Sequence, residues 1–124
     1  MGETPHLPQA AQIDACGNGG FRFGGMSHRG SILCLPSGIW PLHAATLAAV
    51  DAAVLSPLFD HAAEVKHLLV GTGRDIAAFP AALRIRLREM GITVEPMATG
   101  PAVRTYNILL GEGRPAAALL IAVD

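Results

Sequence analysis

The segment Gly71-Thr72-Gly73-Arg74-Asp75 is the first place where residue types and spacing suggest chemistry. It follows an apolar run that reads as a strand and precedes a helix. A loop of this kind can aim backbone amides at an anion, with a helix N-terminus behind it. The dinucleotide fingerprint needs a third glycine three positions on, where Ile76 stands. The Walker pattern is absent, since no Gly-Lys-Ser/Thr occurs. The simpler reading is a tight turn leaving a parallel strand, with an anion site as the alternative.

A second cluster is Arg104-Thr105-Tyr106-Asn107, inside a short apolar helix, with Glu112 and Arg114 after the helix end. Four polar side chains in one turn cannot all face solvent if Val103, Leu109 and Leu110 are buried. Tyr106 and Asn107 then join a structural polar network with strand ends or loops. Alternatively, Arg104 and Arg114 share a cleft and hold an anion bidentately. Ser27-His28 invites comparison with a hydrolase nucleophile, but Gly25 to Gly30 has one residue too many for that elbow and lies between strands. It reads as a hairpin loop. Cys16, Cys34, His28, His43, His61 and His67 show no metal-ligand spacing. No metal and no cofactor are expected. Arg84, Arg86 and Arg88 read as a solvated helix face, with an acidic partner as the alternative.

These residues must be held by elements that the pattern also reveals. Ala10 to Cys16 reads as a strand, followed by a Gly17-Asn18-Gly19-Gly20 turn, a Phe21-Arg22-Phe23 strand and a Gly24-Gly25 turn. Ser31 to Leu35 is an unbroken apolar run, the mark of a strand buried on both faces. Ile39 to Ala45 follows the Pro36-Ser37-Gly38 turn. Ser56-Pro57 resembles an N-cap with proline at the first helical position. Lys66 to Val70 reads as a strand. Phe79, Leu83, Leu87 and Met90 give the clearest helical period, with Pro80 at its start and Gly91 at its end. A short strand from Ile92 to Glu95 comes next. Thr99 or Gly100 caps the helix that carries the Arg104 cluster, and Ala116 to Val123 is a final apolar strand. Strands crowd the first third, and strand and helix alternate afterwards. This predicts a three-layer α/β domain with a mixed central sheet, helices and a β-rich flank.

The 124 residues suffice for one domain, taken as 13–124 behind a flexible N-terminal lead-in of 1–12. Hydrophobic residues make up 51% and charged residues 15%, which excludes a disordered chain. A net charge of −1 gives no basis for nucleic-acid binding. The charge is uneven: residues 1–62 carry six charged side chains and residues 63–124 carry thirteen. The uncharged run from Gly30 to Val50 is long enough for a membrane span, but Pro36, Gly38 and Pro41 interrupt it. It reads as two buried strands. Two cysteines and no signal-peptide pattern point to reduced thiols in the cytoplasm.

Several segments together resemble one small family, which includes the mitochondrial complex I assembly factor three and the adipogenesis-associated domain proteins. The resemblance rests on Gly20-Phe21-Arg22-Phe23 with Gly25, Gly30-Ser31-Ile32-Leu33 leading to Pro36-Ser37-Gly38, Leu69-Val70-Gly71-Thr72-Gly73, and Gly91-Ile92-Thr93-Val94-Glu95. Its strongest part is Arg104-Thr105-Tyr106-Asn107-Ile108-Leu109-Leu110 with Glu112-Gly113-Arg114. It implies a three-layer α/β domain that assists assembly of a membrane-bound respiratory complex through protein contacts, without an established enzymatic activity. The chain looks like a bacterial relative.

Two functional expectations follow. The first is a non-catalytic protein-binding module, its contact surface including Phe21, Phe23, Trp40 and the uncharged run. The second is a site for a small anion or other small molecule, or an enzyme site, where Gly71, Thr72 and Gly73 meet the Arg104 to Asn107 helix. There Arg104 and Arg114 hold the anion, and Thr105 or Tyr106 donates hydrogen bonds. The charge-poor surface is also compatible with a homodimer as well as a monomer.

Overall fold

The computed structural model describes residues 5–124. Three antiparallel strands, β1 (Ile13–Gly17), β2 (Gly20–Phe23) and β3 (Met26–Arg29), form one sheet in the order β1-β2-β3. Both connections are two-residue turns at positive φ: Asn18 at 53° and Gly19 at 76°, then Gly24 at 58° and Gly25 at 75°. Such turns match the twist of a hairpin and favour Asn-Gly and Gly-Gly. The segment expected to be a hairpin loop, Gly25 to Gly30, is therefore mostly strand β3. The tight Gly24-Gly25 turn needs no further loop residues.

The second sheet has the order β5-β4-β8-β6-β7, with β4 (Ile32–Leu35), β5 (Gly38–Pro41), β6 (His67–Gly71), β7 (Thr93–Met97) and β8 (Ala117–Leu120). β6 pairs in parallel with β7 and β8, while β4 pairs antiparallel with β5 and β8. The sheet is mixed, as expected, and the uncharged run supplies β4 and β5. No helix among the described residues is long and apolar enough to cross a membrane.

Alternation along the central strands explains why they read as continuous apolar runs. Leu33 and Leu35 of β4, Leu68 and Val70 of β6, and Ala117 and Leu119 of β8 face one cluster. Ile32 and Cys34, Leu69, and Ala118 and Leu120 face another. A strand that is buried on both faces has no polar side to show. The first cluster is closed by α1 (Ser56–Asp60) and α2 (Ala81–Glu89), through Leu58, Leu83 and Leu87. The second is closed by the three-stranded sheet and α3 (Thr99–Gly111), through Phe21, Phe23, Ala102, Val103 and Tyr106. This is the three-layer arrangement. Truncating a large side chain such as Leu58 or Leu69 to alanine costs about 2–5 kcal/mol in such a core.

Two local expectations need correction. Ser56 is the first residue of α1 rather than its cap; Leu55 holds the cap position, with no side-chain bond. Ala98 precedes α3, and Thr99 is its first residue. The Thr99 hydroxyl has other work, described below. Within the N-terminal lead-in, the amides of His6 and Leu7 donate to Ile39 O (2.8 and 3.1 Å), and the Ile39 amide donates to Leu7 O (2.8 Å). Leu7 thus closes the free edge of β5; residues 1–4 lie outside the described residues.

Candidate functional site

β6, β7 and β8 are parallel, so their carboxyl ends meet at one edge of the sheet, where open α/β sheets usually bind ligands. The Gly71-Thr72-Gly73 loop lies there against the start of α3. Its polar groups are almost all spent within the fold. The Thr72 amide donates to Met97 O (2.8 Å). The Thr72 hydroxyl donates to Asp75 O (2.7 Å) and accepts from the Ala77 amide (3.1 Å). The Gly73 amide donates to Thr99 Oγ1 (3.0 Å), whose own hydroxyl donates to Ile121 O (2.7 Å). The Thr99 amide donates to Gly73 O (2.8 Å), and the Ile121 amide to Gly71 O (2.9 Å). Gly71 allows this close approach: a Cβ there would lie 3.0 Å from Thr99 Cα. The loop is a joint that locks α3 to the ends of β6, β7 and β8.

A crevice of about 460 Å³ remains beside that joint, lined by Gly73, Arg74, Gly100, Pro101, Val123 and Asp124 among others. The first turn of α3 opens on it, bringing the positive end of the helix dipole. Arg74 adds a cation and Asp124 an anion.

The Arg104 cluster divides along α3. Arg104 is exposed. The Thr105 hydroxyl donates to Pro101 O (3.0 Å), one turn back. Tyr106 is fully buried, and its hydroxyl makes no hydrogen bond to nitrogen or oxygen among the described residues; its polar neighbour is the Cys34 thiol, a weak partner. Burial pushes both this hydroxyl and the neighbouring Cys34 thiol well above their ordinary pKa values. Asn107 clamps β1: its Oδ1 accepts from the Ile13 amide and its Nδ2 donates to Ile13 O, each at 2.8 Å. The amide side chain thus completes the edge of β1 as a neighbouring strand would. This is the structural network expected for Tyr106 and Asn107, made by Asn107 alone.

Arg104 and Arg114 do not share a cleft. Arg104 sits in the middle of α3 with its guanidinium turned back towards Gly100 in the first turn, and about 10 Å of helix rise separates its backbone from Gly111. Beyond that end Arg114 pairs with Glu112 (3.7 Å), both exposed. The expected contact surface also fails. Phe21, Phe23 and Trp40 are 2%, 0% and 3% exposed. The period of two puts Phe21 and Phe23 on the same inward side of β2, and Trp40 enters the opposite core cluster beside His61. Among the other arginines, Arg86 stacks on the Phe59 ring at 4.3 Å, so that side of α2 packs on α1 as well as facing water. Among the described residues no three His, Cys, Asp or Glu side chains are grouped to hold a metal.

Sequence reasoning missed a second concavity. It lies on the three-stranded sheet, holds about 450 Å³, and is lined by Ala15, Gly17, Gly20, Arg22, Ser27 and Arg29 among others. The available signal was the alternation Phe21-Arg22-Phe23: two inward rings turn Arg22 outward.

Comparison with known proteins finds one family match and several relatives. A family model described as a protein of unknown function, DUF498/DUF598, matches residues 13–121. An uncharacterised protein of Rhodobacter capsulatus is 39% identical over 117 residues, covering 94% of this chain and 89% of that protein. A Bartonella henselae crystal structure, described as an outer membrane protein, is 46% identical, with a TM-score of 0.91 over 96% of this chain and 100% of that one. A solution structure from Rhodopseudomonas palustris is 48% identical, with a TM-score of 0.83 over 98% and 90%. A Bordetella pertussis Mth938-like domain is 26% identical, with a TM-score of 0.79 over 98% and 92%.

Proposed function

The chain belongs to the DUF498/DUF598 family of proteins of unknown function, and from that premise we propose that it is a non-catalytic protein-binding domain whose contact surface is the strand-end crevice. The carrying observation is the loop beside that crevice. Its Ile76 is 70% exposed, two residues beyond Arg74 and close in sequence to the joint with α3. An exposed apolar side chain two residues from Arg74, the cation of the crevice, suits a partner segment with an apolar side chain and a nearby carboxylate. The non-catalytic part rests on how the reactive groups are used. Thr72, Thr99 and Asn107 bond to backbone, and Tyr106 and Cys34 are buried.

The resemblance to complex assembly factors makes a component of a membrane-bound respiratory complex the partner to seek first. Affinity purification from the native host should use the wild type, Ile76→Asp and Arg74→Glu. One protein captured by the wild type and lost from both variants is expected. Capture that survives both changes excludes this surface.

A second reading is a small-anion site in the same crevice, favoured by its volume, which lies within the range of about 300–1,000 Å³ of small-ligand pockets. A thermal-unfolding screen with phosphate, nucleotides and small carboxylates tests it. Stabilisation lost in Arg74→Ala would favour it over the protein surface.

A further inference from the structure

We propose that the outer face of the three-stranded sheet binds the phosphate group of a small phosphorylated molecule, with Arg22 and Arg29 as its two cationic contacts. Residues 1–62 contain only two Lys or Arg residues, and these are the two. The pairing puts them on one face: Arg22 lies opposite Ser27, and Arg29 opposite Gly20. That makes the two arginines diagonal neighbours, about 7–8 Å apart at the backbone, close enough for both forks to reach one oxyanion.

The surroundings leave room and charge for it. Ala15, Gly17, Gly20 and Ser27 are all small, so the arginines stand over a cavity of about 450 Å³ instead of packed side chains. No residue lining the cavity is acidic. Both arginines are exposed, and neither has an ion-pair or hydrogen-bond partner among the described residues. Like charges on adjacent strands repel, and a bound anion removes that cost. Phosphate fits better than carboxylate. It offers three oxygens and a charge of about −2 to two guanidinium forks, against two oxygens and a single charge. The Ser27 hydroxyl, directly opposite Arg22, adds a neutral donor. The cavity exceeds the size of a phosphate group, leaving space for an organic remainder.

Phenyl phosphate and benzoate share a ring and differ in the oxyanion, so amide NMR titrations with each test the assignment. Phenyl phosphate should shift the amides of Gly17, Gly20 and Ser27 saturably. Benzoate should bind about tenfold more weakly, and Arg22→Gln or Arg29→Gln should each weaken phenyl phosphate by about tenfold or more. Ser27→Asp sets a carboxylate between the arginines and should abolish binding while the rest of the spectrum is unchanged. Equal binding of benzoate, unaltered binding in the arginine variants, or saturable shifts confined to Gly73 and Gly100 would each overturn the proposal. Shifts confined to those two glycines would instead support the small-anion reading of the crevice.

Discussion

The strand-end crevice and the groove on the three-stranded sheet have nearly equal volumes, about 460 and 450 Å³. They differ in what their polar groups are doing. Behind the crevice, the joint of Thr72, Gly73 and Thr99 spends its donors and acceptors on itself and on Met97, Asp75, Ala77 and Ile121, and the crevice's own side-chain charges are one cation, Arg74, and one anion, Asp124. On the sheet, Arg22 and Arg29 have no partner among the described residues. A residue type that can recognise a ligand does so only if the backbone has not already claimed it. By that measure the Thr72–Thr99 joint is architecture, and the arginine pair is open to a partner from outside.

This contrast is sharpest in stability measurements. Thr99→Val keeps the shape of a fully buried side chain but orphans the Gly73 amide and Ile121 O, so a loss of about 3 kcal/mol in urea unfolding is expected. A near-neutral result would break the view of the loop as a joint. Asn107→Ala removes two hydrogen bonds to Ile13 at a half-buried site, for an expected loss of about 2 kcal/mol. Tyr106→Phe deletes a hydroxyl whose polar neighbour is only the weakly bonding Cys34 thiol, so its stability change should stay within about 0.5 kcal/mol or favour the variant. If that same variant loses partner capture, Tyr106 has a functional role that its burial does not suggest. On the open side, Arg22→Gln and Arg29→Gln should each change stability by less than about 0.5 kcal/mol, since both residues are exposed.

The smallest expected effect concerns pH. His28 lines the groove and titrates below its ordinary value of 6.5, chiefly because of burial and then the His6 charge, with His43 adding to it and a Ser31 backbone bond opposing. The unfolded chain therefore takes up this proton first as pH falls. His28 contributes stability above its unfolded pKa, and that contribution is lost as pH drops towards its lower folded value. Unfolding free energy should decline on acidification through this window, and His28→Gln should flatten the decline.

The layers and most elements were legible from period and punctuation. Phe79, Leu83 and Leu87 announced α2, and Asn18-Gly19 announced the first hairpin. β3 was missed because Met26-Ser27-His28-Arg29 has no apolar alternation; it is an edge strand with neither side fully buried. The Gly71-Thr72-Gly73 loop does leave a strand end, but the helix N-terminus beside it is that of α3 and not of the next helix in the chain, α2, which begins only at Ala81. The loop's hydrogen-bond partners were invisible, since Thr99 and Ile121 are 26 and 50 residues from Gly73 and Gly71. Arg104 and Arg114 looked like a pair only because sequence distance hides the direction of the helix between them.

The sequence alone determined that this is an α/β domain with a doubly buried sheet, because local periodicity and turn chemistry act over a few residues. Only the tertiary structure decided which polar groups are free. Hydrogen bonds between distant segments consumed Thr72, Thr99 and Asn107, core packing took Phe21, Phe23 and Trp40 out of reach, and strand register brought Arg22 and Arg29 onto one open face. The bonds of Thr99 and Asn107 and the core packing depend on partners remote in the chain, which no local pattern encodes; the arginine pair needs only the register of the β2–β3 hairpin.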